Sequence, residues 1–239
     1  NNIRKAQRID GALPGIVPTP GWGFDWGNGP AWDSVLIYLP YFTYIYRGDK
    51  KILEDNATAI FRYLDYISKK RDEKGLIAIG LGDWCPVGKG AADYDAPLEL
   101  TDSVVCFDIC TKAAFIFETL GLTLQQEFAF ELGTTFKESI RENLIDFDTM
   151  TVAGNCQTSQ AISIFYNVFE ENEKPAAFNV LMDLINKSDD HMTTGVIGGR
   201  VLFHVLSEFG ESDLAYKMIT RKDYPSYGNW IERGATTLW

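Results

Sequence analysis

Four times along the chain, a helix-length stretch that is apolar on most sides is followed by one that is apolar along a single stripe. This alternation constrains the fold more than any other feature of the sequence. Residues 31–47, "AWDSVLIYLPYFTYIYR", place Trp32, Val35, Leu36, Leu39, Phe42 and Tyr46 on one helical face, and the other faces are also largely apolar. That pattern predicts a helix buried on most sides, with Pro40 removing one backbone hydrogen bond so that the helix bends or restarts. Residues 49–70 differ, with Leu53, Ile60, Leu64 and Ile67 in one stripe and nine charged residues among the twenty-two. Residues 99–120 are again mostly apolar, while 122–142 carry Leu124, Phe128, Leu132, Phe136 and Ile140 among acids and lysines. The pairing recurs in "QTSQAISIFYNVF" with "ENEKPAAFNVLMDLINK", and in "GVIGGRVLFHVLSEF" with "ESDLAYKMITR".

The junctions "YRGDKK", "TLGLTL", "FEENEK" and "EFGESD" are short, and three offer a Gly for a helix C-cap, so each pair reads as an αα-hairpin. An inner helix that meets neighbours on most sides, alternating with an outer helix that faces water, fits two concentric layers. The chain is therefore expected to be all-α and part of an αα-toroid, with about four hairpins present. The irregular spacing of the pairs, with long loops after each outer helix, argues against fixed-period arrays such as TPR or HEAT repeats. The connections after the outer helices, residues 71–97, 143–156, 188–194 and 222–235, should return to one rim where the inner helices begin, and function should gather there.

Composition narrows the classes of partner. A chain of 239 residues with 46% apolar and 13% aromatic content can bury a large core. No run is apolar for the eighteen or so residues of a membrane span. The net charge of −11 would repel a phosphate backbone, so nucleic acid is not an expected partner. The four cysteines, Cys85, Cys106, Cys110 and Cys156, contain no CxxC pair, and His191 and His204 are the only histidines, so no metal site and no cofactor is expected. Cys106 and Cys110 read as buried thiols, His191 as a loop or capping residue and His204 as structural. "GNGP" lacks the following GK[ST] of a phosphate loop.

Two rim segments stand out. "PGIVPTPGWGFDWGNGPAWDS" holds Trp22, Trp26, Trp32, Asp25 and Asp33, and the segment around "GLGDWCPVGKGAADYDAPLEL" holds Asp83, Trp84, Tyr94, Asp95 and Glu99. A sugar presents a C–H face that stacks on an indole and hydroxyls that bond to carboxylates, so this clustering points to carbohydrate. Taken singly, each residue has a plainer reading: Asp33 as a first-turn acid favoured by the helix dipole, Asp25 in an Asx turn, any one Trp as a core plug.

The stretches "GPAWDSVLIYLPYFTYIYRGDKKILED", "GDWCP" and "HMTTGVIGGRVLFHVLSEFGESDLAYKMITRKDYPSYGNWIERGATTLW" resemble the catalytic (α/α)6 domain of glycoside hydrolase family 78, the bacterial α-L-rhamnosidases. The resemblance covers nearly the whole chain in order, and its specific parts are "AWDS", "GDW", the "TTG" stretch and the closing "YPS…GATTLW". It implies inverting hydrolysis of terminal α-L-rhamnosides, with an acid and a base carboxyl roughly 6.5 to 9.5 Å apart. In the family the acid Glu lies in a motif like RDER-x-GW-x-GD, and the base Glu follows TT-x-W. Neither is in this sequence, so both catalytic residues are expected outside it, before Asn1 and just after Trp239. The resemblance also implies Trp32 and Trp84 as substrate-binding residues and, more weakly, Asp33 and Asp83, for which a supporting or helix-capping role is the alternative.

The ends agree with that expectation. "NNIRKAQRID" opens without Met or a signal sequence, and "GATTLW" stops where Thr236 and Thr237 would cap a helix starting at Leu238 and Trp239. Residues 1–239 are thus expected to be a partial domain. The rival readings are another αα-toroid carbohydrate enzyme, glucoamylase-like or an unsaturated glucuronyl hydrolase, using carboxylates such as Asp33 and Asp83, and a non-catalytic sugar-binding module. The compartment stays open, with a periplasmic or secreted setting favoured over a cytoplasmic one.

Overall fold

The computed structural model describes residues 2–19 and 23–237. Among them the chain forms eleven helices and one two-stranded ribbon, so the all-α expectation holds. In order these are α1 (Asn2–Ala6), α2 (Pro30–Asp33), α3 (Val35–Arg47), α4 (Lys50–Ser68), α5 (Leu98–Leu120), α6 (Thr123–Leu144), β1 (Ile145–Asp146), β2 (Thr151–Val152), α7 (Gln157–Phe165), α8 (Lys174–Lys187), α9 (Val196–Glu208), α10 (Ser212–Thr220) and α11 (Tyr227–Glu232). No helix among the described residues is long and apolar enough to cross a membrane. The chain divides into two compact units, Asn1–Leu81 with Leu98–Asn143, and Gly82–Pro97 with Leu144–Trp239.

The first unit holds the hairpins α3/α4 and α5/α6. The α4 stripe is buried as its spacing predicts, with Leu53, Ile60, Leu64 and Ile67 fully out of water, while its opposite face carries Lys50, Lys51 and Glu54. Helix α5 is buried along twelve of its 23 residues, the signature of an inner helix. The Tyr38 hydroxyl donates to Asp108 at 2.7 Å and ties α3 to α5. The C-cap glycines Gly48 and Gly121 take positive φ, as the turn reading requires, and Gly48 donates its amide to the Tyr44 carbonyl.

Two readings need correction here. The run 31–47 is broken at Ser34 into α2 and α3, with Pro40 accommodated inside α3. Nor is α3 buried on most sides: Leu36, Ile37 and Pro40 pack inward, but Val35, Leu39, Phe42 and Tyr46 are exposed at 43, 55, 42 and 80%. These four follow one another at helical spacing, so a single whole face of α3 lies uncovered. Leu124, in the first turn of α6, is likewise exposed.

The second unit holds α7/α8 and α9/α10. Helix α7 is short, yet Gln157 to Ile164 are all buried, with α8 and α9 packed against it. The chain leaves the helix after Phe165 because Asn167 turns to φ 58°, which sends Val168 and Phe169 back into the core. Phe178 of α8 stacks on Phe209 with ring centroids 4.2 Å apart. The ribbon pairs Ile145 with Val152 and Asp146 with Thr151, a feature the sequence pattern did not reveal. It is held by the fully buried Gln160, which accepts from the Val152 amide and donates to the carbonyls of Met150 and Ala177.

Residues 222–235, expected as a plain connection, contain α11, capped by Ser226, whose hydroxyl oxygen accepts from the Asn229 amide at 2.9 Å. Thr236 and Thr237 are exposed bends, and the helix start read at Leu238 and Trp239 lies outside the described residues.

Candidate functional site

The two residue pairs singled out from the sequence fall in different units. Asp33 and Trp32 belong to the first, Asp83 and Trp84 to the second.

In the first unit the construction starts at α5. Asp102 and Ser103 in its first turns accept from the amides of Ile79 and Ile77, fixing the segment that precedes Leu81. That segment runs so close to residues 28 and 29 that a β-carbon on Gly80 would lie 2.0 Å from the Asn28 carbonyl oxygen, and one on Gly29 would lie 2.2 Å from that of Ile79. Both glycines also have positive φ, so no other residue fits there without strain. Gly29 then opens α2, which carries the two residues of interest. The Trp32 indole donates its N–H to the Leu81 carbonyl at 3.3 Å and leaves the ring partly exposed.

Asp33 is 5% exposed, and its Oδ2 accepts from the Gly29 amide at 3.3 Å and the Tyr63 hydroxyl at 3.1 Å. Burial pushes its carboxyl up to about 7, although both hydrogen bonds act to lower it. Asp102 is also pushed well above the usual carboxylate range by burial, and its Oδ1 has no partner among the described residues. A cavity of about 240 Å³ opens beside this turn, lined by Leu13, Pro14, Val17, Trp32, Asp33 and Val35. A larger hollow of about 400 Å³ between α1, α3 and α4 is lined by aliphatic side chains and by Arg4, Asp49, Lys51, Asp55 and Asn56, with no aromatic ring among the described residues that line it.

In the second unit, "GDW" meets the start of α9. Asp83 is 2% exposed. Its Oδ2 accepts from the Gly195 amide at 2.7 Å and from the Thr158 hydroxyl, and its Oδ1 accepts from the amides of Ile197 and Gly198 at 2.8 and 2.9 Å. The Trp84 carbonyl accepts from the Val196 amide at 2.9 Å, and the Trp84 ring is half-buried. The rim connections of this unit converge here. Gln157, at the start of α7, accepts from the Thr193 amide and donates to Ser188 and to the His191 carbonyl. The His191 ring bridges the Ser188 carbonyl and Asp223, and Arg221 joins Asp223 to Asp189, so His191 pins a loop, as the sequence suggested.

The remaining candidates are less committed. Trp26 is 45% exposed, Asp25 is exposed, Asp95 pairs with Lys89 at the surface, and Trp22 lies outside the described residues. Cys106 and Cys110 are buried free thiols. His204 is exposed on α9 with its ring 5.8 Å from that of Phe165. Among the described residues no cluster of three or more metal-ligating side chains occurs.

The whole of residues 1–239 matches the family model for the bacterial alpha-L-rhamnosidase 6 hairpin glycosidase domain. The chain belongs to that family. It is 28% identical to an alpha-L-rhamnosidase of Alteromonas sp. (strain LOR) over 257 residues, covering all of this chain and 26% of the relative. Among solved structures it is similar to the Streptomyces avermitilis alpha-L-rhamnosidase complexed with L-rhamnose, with TM-score 0.87 and 26% identity over all of this chain and 22% of the other. It is also similar to the alpha-L-rhamnosidase of Dictyoglumus thermophilum, with TM-score 0.91 and 29% identity over all of this chain and 27% of the other. The chain thus spans about a quarter of the length of the relatives it matches.

For this six-hairpin glycosidase chain, the sequence pointed to "GDW" and to the "TTG" stretch separately and missed their union. Thr158, Gly195 and Gly198 carried no functional reading. One local sign was available: Gly195 opens α9 with no side chain to cap it, so the helix's first amides must find partners elsewhere.

Proposed function

We propose that the protein carrying this chain is an inverting glycoside hydrolase that releases terminal α-L-rhamnose, and that residues 1–239 form part of its (α/α)6 catalytic domain. The observation that carries this reading is likeness over the full chain to several α-L-rhamnosidases, one of them solved with L-rhamnose. Trp32, in the first unit, and Trp84, in the second, are each assigned an indole face for substrate binding. Asp33 lines the cavity beside Trp32 with one buried carboxyl. Its raised proton affinity suits a group that meets a sugar hydroxyl as a neutral partner.

Hydrolysis with inversion needs a protonated carboxyl on the leaving oxygen and a carboxylate holding water on the opposite face. In this proposal both come from polypeptide outside residues 1–239, while this chain binds and orients the ring. The test is hydrolysis of an aryl α-L-rhamnoside by the complete polypeptide, with the anomer of the released sugar followed by NMR. First-formed β-L-rhamnose is expected. Absence of rhamnoside hydrolysis defeats the reading, and first-formed α-L-rhamnose defeats inversion. Turnover above background by isolated residues 1–239 would show that the carboxylates are within them.

A further inference from the structure

We propose that Asp83 is a positioning residue of this site, acting through the helix start it caps to hold Trp84 in place; the proposal rests on the rhamnosidase reading above.

An α-helix begins with amides that have no carbonyl one turn earlier to bond to. In α9 the first intrahelical bond is the one from Gly199 to the Gly195 carbonyl, so the amides of Gly195, Val196, Ile197 and Gly198 need outside acceptors. All four are met by one dipeptide more than a hundred residues earlier. Asp83 takes three of them on its two carboxylate oxygens, and the Trp84 carbonyl takes the fourth. Thr158, from the first turn of α7, adds its hydroxyl to the same carboxylate. A buried carboxylate is costly unless it is hydrogen-bonded in this way, and a negative group at a helix N-terminus is doubly favoured.

The close approach is reserved for glycine. A β-carbon on Gly195 would lie 2.2 Å from the Asp83 carbonyl oxygen and 2.6 Å from that of Trp84, and one on Gly198 would lie 2.2 Å from the Thr158 hydroxyl. On its other side Trp84 leads into Cys85, which sits at φ 56° and donates its amide to the Ala91 carbonyl at 2.8 Å. The backbone of Trp84 is therefore fixed both before and after the residue. Asp83, with four donors on two oxygens and almost no exposed surface, has nothing left for a ligand. Its effect on the sugar passes through Trp84.

The experiment uses the complete polypeptide and the variants Asp83→Asn, Thr158→Val, Trp84→Ala and the two doubles with Trp84→Ala. Asn keeps one acceptor but turns an NH2 toward amide donors, so it opens the clamp with little change of volume. Misplacement of a binding group by about 1 Å can cost ~10²-fold, and a loss of that order in kcat/KM toward an aryl α-L-rhamnoside is expected for Asp83→Asn. In the Trp84→Ala background the same substitution should cost less than about threefold, because the group it positions is gone. Should Asp83→Asn fail to fold, the milder Thr158→Val cycle decides by the same non-additivity.

An Asp83→Asn enzyme within about twofold of the parent, or an equal loss with and without Trp84, overturns the proposal. If the parent itself leaves the rhamnoside untouched, the functional reading fails on its own. The positioning role is then judged by the Trp84 emission, parent minus Trp84→Ala, which Asp83→Asn must shift and which, if unchanged, overturns it.

Discussion

The Tyr63 hydroxyl donates to Asp33 across 3.1 Å at a place where Tyr63 is fully buried and Asp33 almost so. Burial raises the Asp33 carboxyl from its ordinary 3.8 to about 7, so the folded chain holds a proton that the unfolded chain releases above about pH 4. The stability tied to this proton is complete below pH 4 and is lost as pH rises through 7. Asp33→Asn, neutral at every pH, should flatten the fall in thermal midpoint between about pH 4 and 7. Part of the slope should persist, since burial raises Asp102 in the same direction. A slope unchanged in the variant would show that Asp33 is ionised in the fold.

Neighbouring glycines in α9 should respond in opposite ways to alanine. At Gly198 the new β-carbon meets Thr158 at 2.2 Å and Thr194 at 2.8 Å, a clash expected to cost about 1–3 kcal/mol. At Gly199 the nearest atom is 3.6 Å away, and alanine should stabilise by about 0.5–1 kcal/mol through its helix preference. Urea midpoints of Gly198→Ala and Gly199→Ala, measured side by side, test the contrast.

Gln160 serves the Val152 amide and the carbonyls of Met150 and Ala177 at once. Gln160→Leu keeps the bulk and strands all three groups out of water, where each unsatisfied group costs about 1–3 kcal/mol. A loss above about 2 kcal/mol is expected, with faster hydrogen exchange at Val152 as its local signature. A urea midpoint equal to the parent's would mean that water replaces the side chain.

Helix α3 offers a second contrast. Ile37→Ala empties a fully buried position and should cost about 2–5 kcal/mol. Leu39→Lys, at a side chain 55% exposed, should change the stability of isolated residues 1–239 by less than about 0.5 kcal/mol. Thermal melts of the two variants distinguish a packed from an uncovered face.

Helical period carried most of the fold to the surface of the sequence. The α4 stripe, the inner character of α5 and α7, and the C-caps at Gly48 and Gly121 follow from spacing and local chemistry alone. The uncovered face of α3 does not, because an apolar side chain reads the same whether or not something lies over it. The candidate site was legible as residue types and hidden as roles. Asp83 stood out as an acid beside a tryptophan, but its bonds reach 75 to 115 residues along the chain, and pairing at that range leaves no periodic trace. Asp33 hid its state in the same way, since only its burial in the folded chain makes it a weak acid, against the pull of the Tyr63 and Gly29 hydrogen bonds.

Trp32 gives its one polar hydrogen to the Leu81 carbonyl. Indole has no other donor and no useful acceptor, so what this side chain can still present is a flat hydrocarbon face. In the proposed sugar site such a face packs against C–H groups and can neither donate to nor accept from a hydroxyl. Under the proposed function, every hydrogen bond that reads the ring's hydroxyls must then come from polar groups elsewhere, and trimming Trp32 to alanine should weaken the hold on the ring by removing stacking area rather than a hydrogen bond.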